Sequence, residues 1–220
     1  MPSFGTSAFL RIVHMNPRPQ RSELRRRFTP REGGYDFHSS LRRLAHRLLV
    51  EGESLENVLA ATAAIAQEPE RRSAQTGLRQ LVAWRTMNPG PVLRFEPATV
   101  QSLGETFRVT FTPNVGLLVD GQSVAIHVWN TAMPRLEPRL VQAVLSLFVA
   151  SYRSSENPPE DLAVLCLRTM RLIRLGNALE VAPLGLLIAR GIDGIFQEVE
   201  REIREPLPGQ IDRPPAPSAE

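Results

Sequence analysis

The apolar positions of this chain change period along its length. Between residues 39 and 86 they recur every three or four positions. Leu41, Leu44, Ala45, Leu48 and Leu49 share one face, with Arg42, Arg43, His46 and Arg47 around the other, as on an amphipathic helix. Gly52 ends that helix, and Ser54 caps a second whose apolar positions include Leu55, Val58, Leu59 and Ile65,. Pro69 and Glu70 open a third that runs to about Arg85. The period then becomes two. Residues 107–111 alternate Phe107, Val109 and Phe111 against Arg108 and Thr110, a half-buried strand. Residues 115–119 and 123–129 predict two more strands, joined by the hairpin dipeptide Asp120-Gly121,. In the third strand Val124, Ile126 and Val128 face one way and Ala125, His127 and Trp129 the other,.

Residues 137–152 are apolar nearly all round, which predicts a helix buried on several sides,. The continuous apolar run over 161–167 is expected of a strand covered on both faces, and 170–175 extends the sheet. Ile192, Ile195, Phe196, Val199 and Ile203 predict a last helix. The expected class is α+β: a helical N-terminal region, then a mixed sheet of four to five strands with a buried crossover helix. Residues 1–38 read as an irregular basic arm, broken by Pro17, Pro19 and Pro30 with a turn at Gly33-Gly34,. The helical region covers 39–86, and the α/β core with its C-terminal helix covers 87–205, entered through a Pro-rich connector. Residues 206–220 read as a Pro-rich disordered tail,.

Charge changes this picture in one respect. All 26 Lys+Arg positions are Arg. Residues 1–50 hold ten Arg against Glu23, Glu32 and Asp36, a net +7, whereas 51–220 hold sixteen Arg against twenty acids, a net −4. Arginine stays protonated, and its planar fork suits phosphates and carboxylates. The single cysteine, Cys166, excludes an intrachain disulfide and lies in the apolar run of 161–167, which predicts a small buried hydrophobe,. No secretory h-region is visible, and no apolar run reaches the roughly 18 residues of a membrane span. A cytoplasmic protein without a membrane partner is expected.

The predicted order before and after residue 107 is helix–strand–strand–strand–helix–strand, with Pro113-Asn114 ahead of the second strand and His127-Val128-Trp129 on the third. This order resembles the core of restriction-endonuclease-like nucleases of the PD-(D/E)XK type. The resemblance implies an acid at the Asn114 position, a second acid at the His127 position and a lysine at the Trp129 position. Two such acids hold a divalent cation, and the lysine acts on the attacking water. This chain has Asn114, His127 and Trp129 there, and no lysine anywhere. The resemblance therefore implies a scaffold with a degenerate site.

The favoured expectation is a binding module rather than an enzyme, without a cofactor, contacting nucleic acid or a protein partner through its Arg-rich N-terminal region. Arg18, Arg21, Arg25, Arg26, Arg27 and Arg31, with Arg42, Arg43 and Arg47 on the following helix, are the candidate phosphate contacts,. One alternative is a divergent metal-dependent nuclease or hydrolase, with Asp120 or a Glu joining His127 around magnesium or manganese. Another is an interaction protein with no nucleic-acid role. The pair Asp36 and His38 reads as a loop anchor.

Overall fold

A computed structural model describes residues 1–28 and 37–204. Its eight helices and two mixed sheets give the α+β class. The chain begins with strand β1 (Ser3–Gly5), helix α1 (Thr6–Val13), helix α2 (Pro17–Arg25) and a 3-10 turn over Arg26–Phe28. Helices α3 (Ser39–Leu49), α4 (Leu55–Ala61) and α5 (Glu68–Met87) follow, close to their predicted limits. Ser54 caps α4 as expected, its hydroxyl accepting from the Asn57 N–H at 3.2 Å,.

Strands β2 (Val92–Leu93), β5 (Val115–Val119), β6 (Gln122–Trp129), β7 (Asp161–Cys166) and β8 (Arg171–Arg174) lie side by side in that order. β6 and β7 are parallel and the other neighbours antiparallel. The parallel pair requires a crossover, supplied by α6 (Pro138–Ser146) and α7 (Val149–Arg153). Asp120 and Gly121 both adopt positive φ, +51° and +79°, the backbone of a tight hairpin turn,. A final helix, α8 (Ala178–Arg204), packs on α6. They approach closely at Gly185, where an added Cβ would collide with the Ala143 carbonyl oxygen.

The five-stranded sheet is covered on both faces. Val124, Ile126 and Val128 join Leu41, Leu44, Leu78, Leu81 and Trp84 of α3 and α5. Ala125, Trp129 and Cys166 join Val141, Val144 and Leu145 of α6 and Phe196 of α8. The alternation predicted for β6 thus divides the two halves of the core, and Cys166 is buried.

Three expectations are corrected. Residues 107–111 form a strand, β4 (Arg108–Phe111), but not the first strand of the meander. β4 lies in a second sheet, between β1, parallel to it, and β3 (Ala98–Gln101), antiparallel. The first strand of the large sheet is β2, within the predicted connector. The reason lies at Pro113 and Asn114. Proline offers no N–H to continue a ladder, and Asn114 is fastened to β6 by its N–H to Ile126 O (2.8 Å) and its Oδ1 from the Val128 N–H (2.7 Å). The chain therefore crosses from one sheet to the other at this point.

Second, residues 1–28 are ordered elements and not an irregular arm. Phe4, Phe9, Leu10, Ile12 and Leu24 are each 0–1% exposed, and Phe4 packs between Phe9, Phe107 and Phe196 at ring separations of 5.9–6.2 Å. Pro17 and Pro19 fall in the first turn of α2, where a missing N–H costs nothing,. Third, the helix expected over 137–152 is divided at Leu147–Phe148, and the last helix starts at Ala178, well ahead of its predicted apolar stripe. Arg31, Gly33-Gly34 and the tail 206–220 lie outside the described residues.

Candidate functional site

The site is assembled by the crossing from β4 to β5. β1 runs beside β4 with Gly5 opposite Thr110, so α1 begins directly over the Thr112–Asn114 link. Thr6 locks this junction. Its hydroxyl donates to the Thr110 carbonyl (3.1 Å) and accepts from the Thr112 N–H (3.2 Å). On β6, His127 points to the same face as Trp129 and comes up beneath the link. Its Nδ1 lies 3.0 Å from the Thr112 carbonyl oxygen, and its Nε2 lies 2.7 Å from Ser7 Oγ on the first turn of α1.

A carbonyl only accepts, so Nδ1 carries the ring hydrogen. His127 is 3% exposed. Burial depresses its pKa to about 4, the Thr112 carbonyl opposes this and the charge of Arg42 adds to it. The imidazole is therefore neutral at pH 7, Nε2 holds a lone pair, and the Ser7 hydroxyl donates to it.

Ser7, His127 and Trp129 form part of the wall of a cleft of about 1160 Å³. The other walls are the start of α1, the end of the 3-10 turn, the start of α3, the N-terminal half of α5 and the segment after β6. Among the described residues five arginines line it: Arg11, Arg27, Arg42, Arg72 and Arg168. None of its described lining residues is a carboxylate. Arg11, Arg26 and Arg27 converge on the single carboxylate of Glu23 at 3.0, 3.5 and 3.1 Å, three positive charges against one. Arg27 also lies over the Phe4 ring, 5.2 Å from its centroid,. Arg72 is 3.3 Å from Glu68, and Arg168 donates to the Asn130 carbonyl at 3.3 Å. Phe37 and His38 stand on the α3 side, where His38 Nε2 is 3.0 Å from Thr131 Oγ1. Asn130, 4% exposed, gives its amide hydrogens to Ser73, while its Oδ1 has no hydrogen-bond partner among the described residues.

The sequence-predicted residues divide. His127 and Trp129 reach the cleft, Trp129 as a core residue only 1% exposed. Asn114 is a structural fastener outside the lining. Asp120 is not near them. It is at the hairpin turn, and the five residue steps of β6 from Gln122 to His127 already span about 16 Å of strand,. Its carboxylate meets Arg174 at 3.2 Å. A metal site built from Asp120 and His127 is therefore excluded by their separation. No group of three His, Cys, Asp or Glu side chains among the described residues could hold a metal ion.

Of the candidate arginines, Arg27 and Arg42 line the cleft. Arg21 and Arg25 do not: they pair with α8, Arg21 with Glu198 (2.6 Å) and Glu202 (2.5 Å), Arg25 with Glu202 (3.3 Å). Arg47 is held by a bidentate contact to Glu53, and Arg26 by Glu23. Arg18 and Arg43 are exposed away from the lining. Arg11, Arg72, Arg168 and Ser7 escape the sequence reading. For Ser7 the signal is present: Gly5-Thr6-Ser7 precedes Phe9, Leu10 and Ile12 at helical spacing, a helix start with polar groups in its first turn. No described helix is long and apolar enough to cross a membrane. Neither protein-family models nor curated proteins give a match to this chain.

Proposed function

We propose that this protein binds a short stretch of single-stranded nucleic acid in the arginine-lined cleft, on a nuclease-like scaffold that lacks the acid–x–lysine set. One observation carries the reading: Arg11, Arg27, Arg42, Arg72 and Arg168, from five separate segments, converge on one cleft whose described lining holds no carboxylate. Guanidinium groups at that density suit a run of phosphates, which they meet by paired N–H donors. The volume, about 1160 Å³, is that of a small-ligand pocket and suits a few nucleotides of a strand rather than the breadth of a duplex. Phe37 lines the same cleft, an aromatic side chain of the kind on which bases stack. The scaffold part of the proposal is supported by the elements of the large sheet and its flanking helices, α5–β2–β5–β6–α6–β7, which keep the sequence helix–strand–strand–strand–helix–strand with β3, β4 and α7 interposed.

The contact surface in this reading is the cleft and not a free arm. Removing residues 1–34 is a poor test, because it strips Phe4, Phe9 and Leu10 from the core. A gel shift with a labelled single-stranded oligonucleotide, in EDTA, compares the intact chain with the double variant Arg42→Ala/Arg72→Ala. The proposal predicts binding without metal, weakened about tenfold or more in the variant, the equivalent of ~1.4 kcal/mol. No shift by the intact chain at low salt, or an equal shift by a folded variant, contradicts it.

A further inference from the structure

Ser7 stands between a buried base and an open cleft. Behind it, His127 is fixed at Nδ1 by the Thr112 carbonyl and presents its Nε2 lone pair to Ser7 Oγ at 2.7 Å. In front of it lie the arginines of the cleft. This is the relation of nucleophile, base and orienting group that activates a serine hydroxyl, with a main-chain carbonyl in the orienting place. Two further features favour negative charge at Oγ. Ser7 is on the first turn of α1, whose N-cap, Gly5, supplies no side-chain hydrogen bond. The positive end of the helix dipole thus lies at the turn that carries Ser7. Arg42 lines the same cleft as Ser7, and a guanidinium there favours an anion at the cleft wall.

We propose that Ser7 is a nucleophile toward the phosphorus of an anionic phosphodiester, with His127 taking and returning its proton. The proposal rests on the anion-binding reading of the cleft. In the step, the Ser7 Oγ–P bond forms and the bond from phosphorus to the leaving oxygen breaks. The hydroxyl proton passes to Nε2 and from there to the leaving oxygen, which departs as an alcohol. Water then attacks the seryl phosphodiester: its oxygen bonds to phosphorus, Oγ leaves and recovers a proton through His127. The sum is phosphodiester plus water giving phosphomonoester plus alcohol, with no change of oxidation state. The pair was hidden from the sequence because its members are 120 residues apart.

The test uses bis(4-nitrophenyl) phosphate, an activated anionic phosphodiester, with the full chain in EDTA. The expected result is release of nitrophenolate with a nitrophenyl-phosphate mass increment mapped to Ser7, at a rate at least about a hundredfold above that at the exposed Ser22 and Ser154,. Ser7→Ala abolishes the adduct, and His127→Gln slows it about a hundredfold, in line with loss of a general base. The comparison among serines within the intact chain stands even if a variant does not fold. An unmodified Ser7, or one that reacts no faster than Ser22 and Ser154, overturns the proposal. So does equal reaction in a folded His127→Gln. If such a preparation still shifts an oligonucleotide through Arg42 and Arg72, the serine proposal alone falls and the binding reading stands.

Discussion

At the scale of single residues, His127 is the side chain with the sharpest physical consequence. It is fully enclosed and held with its pKa near 4, mainly by burial. In the unfolded chain the same imidazole takes up a proton near pH 6.5. Between those two values the unfolded state binds more protons than the folded state, so stability falls as pH falls from 6.5 toward 4. The full loss is of order 3 kcal/mol, from roughly 2.5 units at about 1.4 kcal/mol each. Carboxylates titrate in the same range, so the difference between two proteins is the readout. Urea unfolding of the wild type and of His127→Gln at pH 7 and pH 4.5 is expected to show a steeper loss for the wild type. Parallel losses would mean that His127 is not buried neutral. The sequence shows that this ring shares a face with Ala125 and Trp129. It does not show what the ring meets, because Thr112 and Ser7 arrive from other strands and helices.

At the scale of elements, the sequence is most legible where structure is local. Helices α3, α4 and α5 and the β5–β6 hairpin follow from apolar period, caps and turn dipeptides that act within a few residues. β4 was legible as a strand and illegible as a partner. Its neighbour β1 is three residues long and about a hundred residues away in sequence, and nothing in a local pattern specifies parallel pairing at that range. Pro17 and Pro19, read as breaks in an irregular arm, open α2 instead. β1 is a core element, which gives a prediction. Phe4→Ala removes a ring that is 1% exposed and in contact with three others, and should cost ~3–5 kcal/mol in equilibrium unfolding. A cost under about 1 kcal/mol, the range of surface positions, would contradict the docking of residues 1–28 on the core.

At the scale of the whole molecule, the basic segment of residues 1–50 is redistributed by folding. Its charge was legible in the sequence, but its surface was not. Arg21 and Arg25 are spent on Glu198 and Glu202 of α8, a connection across about 180 residues. Arg27 and Arg42 are instead brought together with Arg11, Arg72 and Arg168, two of which belong to the acidic remainder of the chain. The three positions Asn114, His127 and Trp129 separate in the same way: a fastener, a buried neutral imidazole and a core side chain at the cleft wall. The proposed phosphate contact is in this cleft and not on the α2–α8 face. It is tested most directly by the salt dependence of oligonucleotide affinity, measured by fluorescence anisotropy for the wild type, Arg72→Ala/Arg168→Ala and Arg21→Ala/Arg25→Ala. The slope of log affinity against log salt falls by about 1 for each phosphate contact removed. A slope reduced by about 2 in the first variant and unchanged in the second is the predicted result. The reverse pattern, or the same slope in all three, would contradict it.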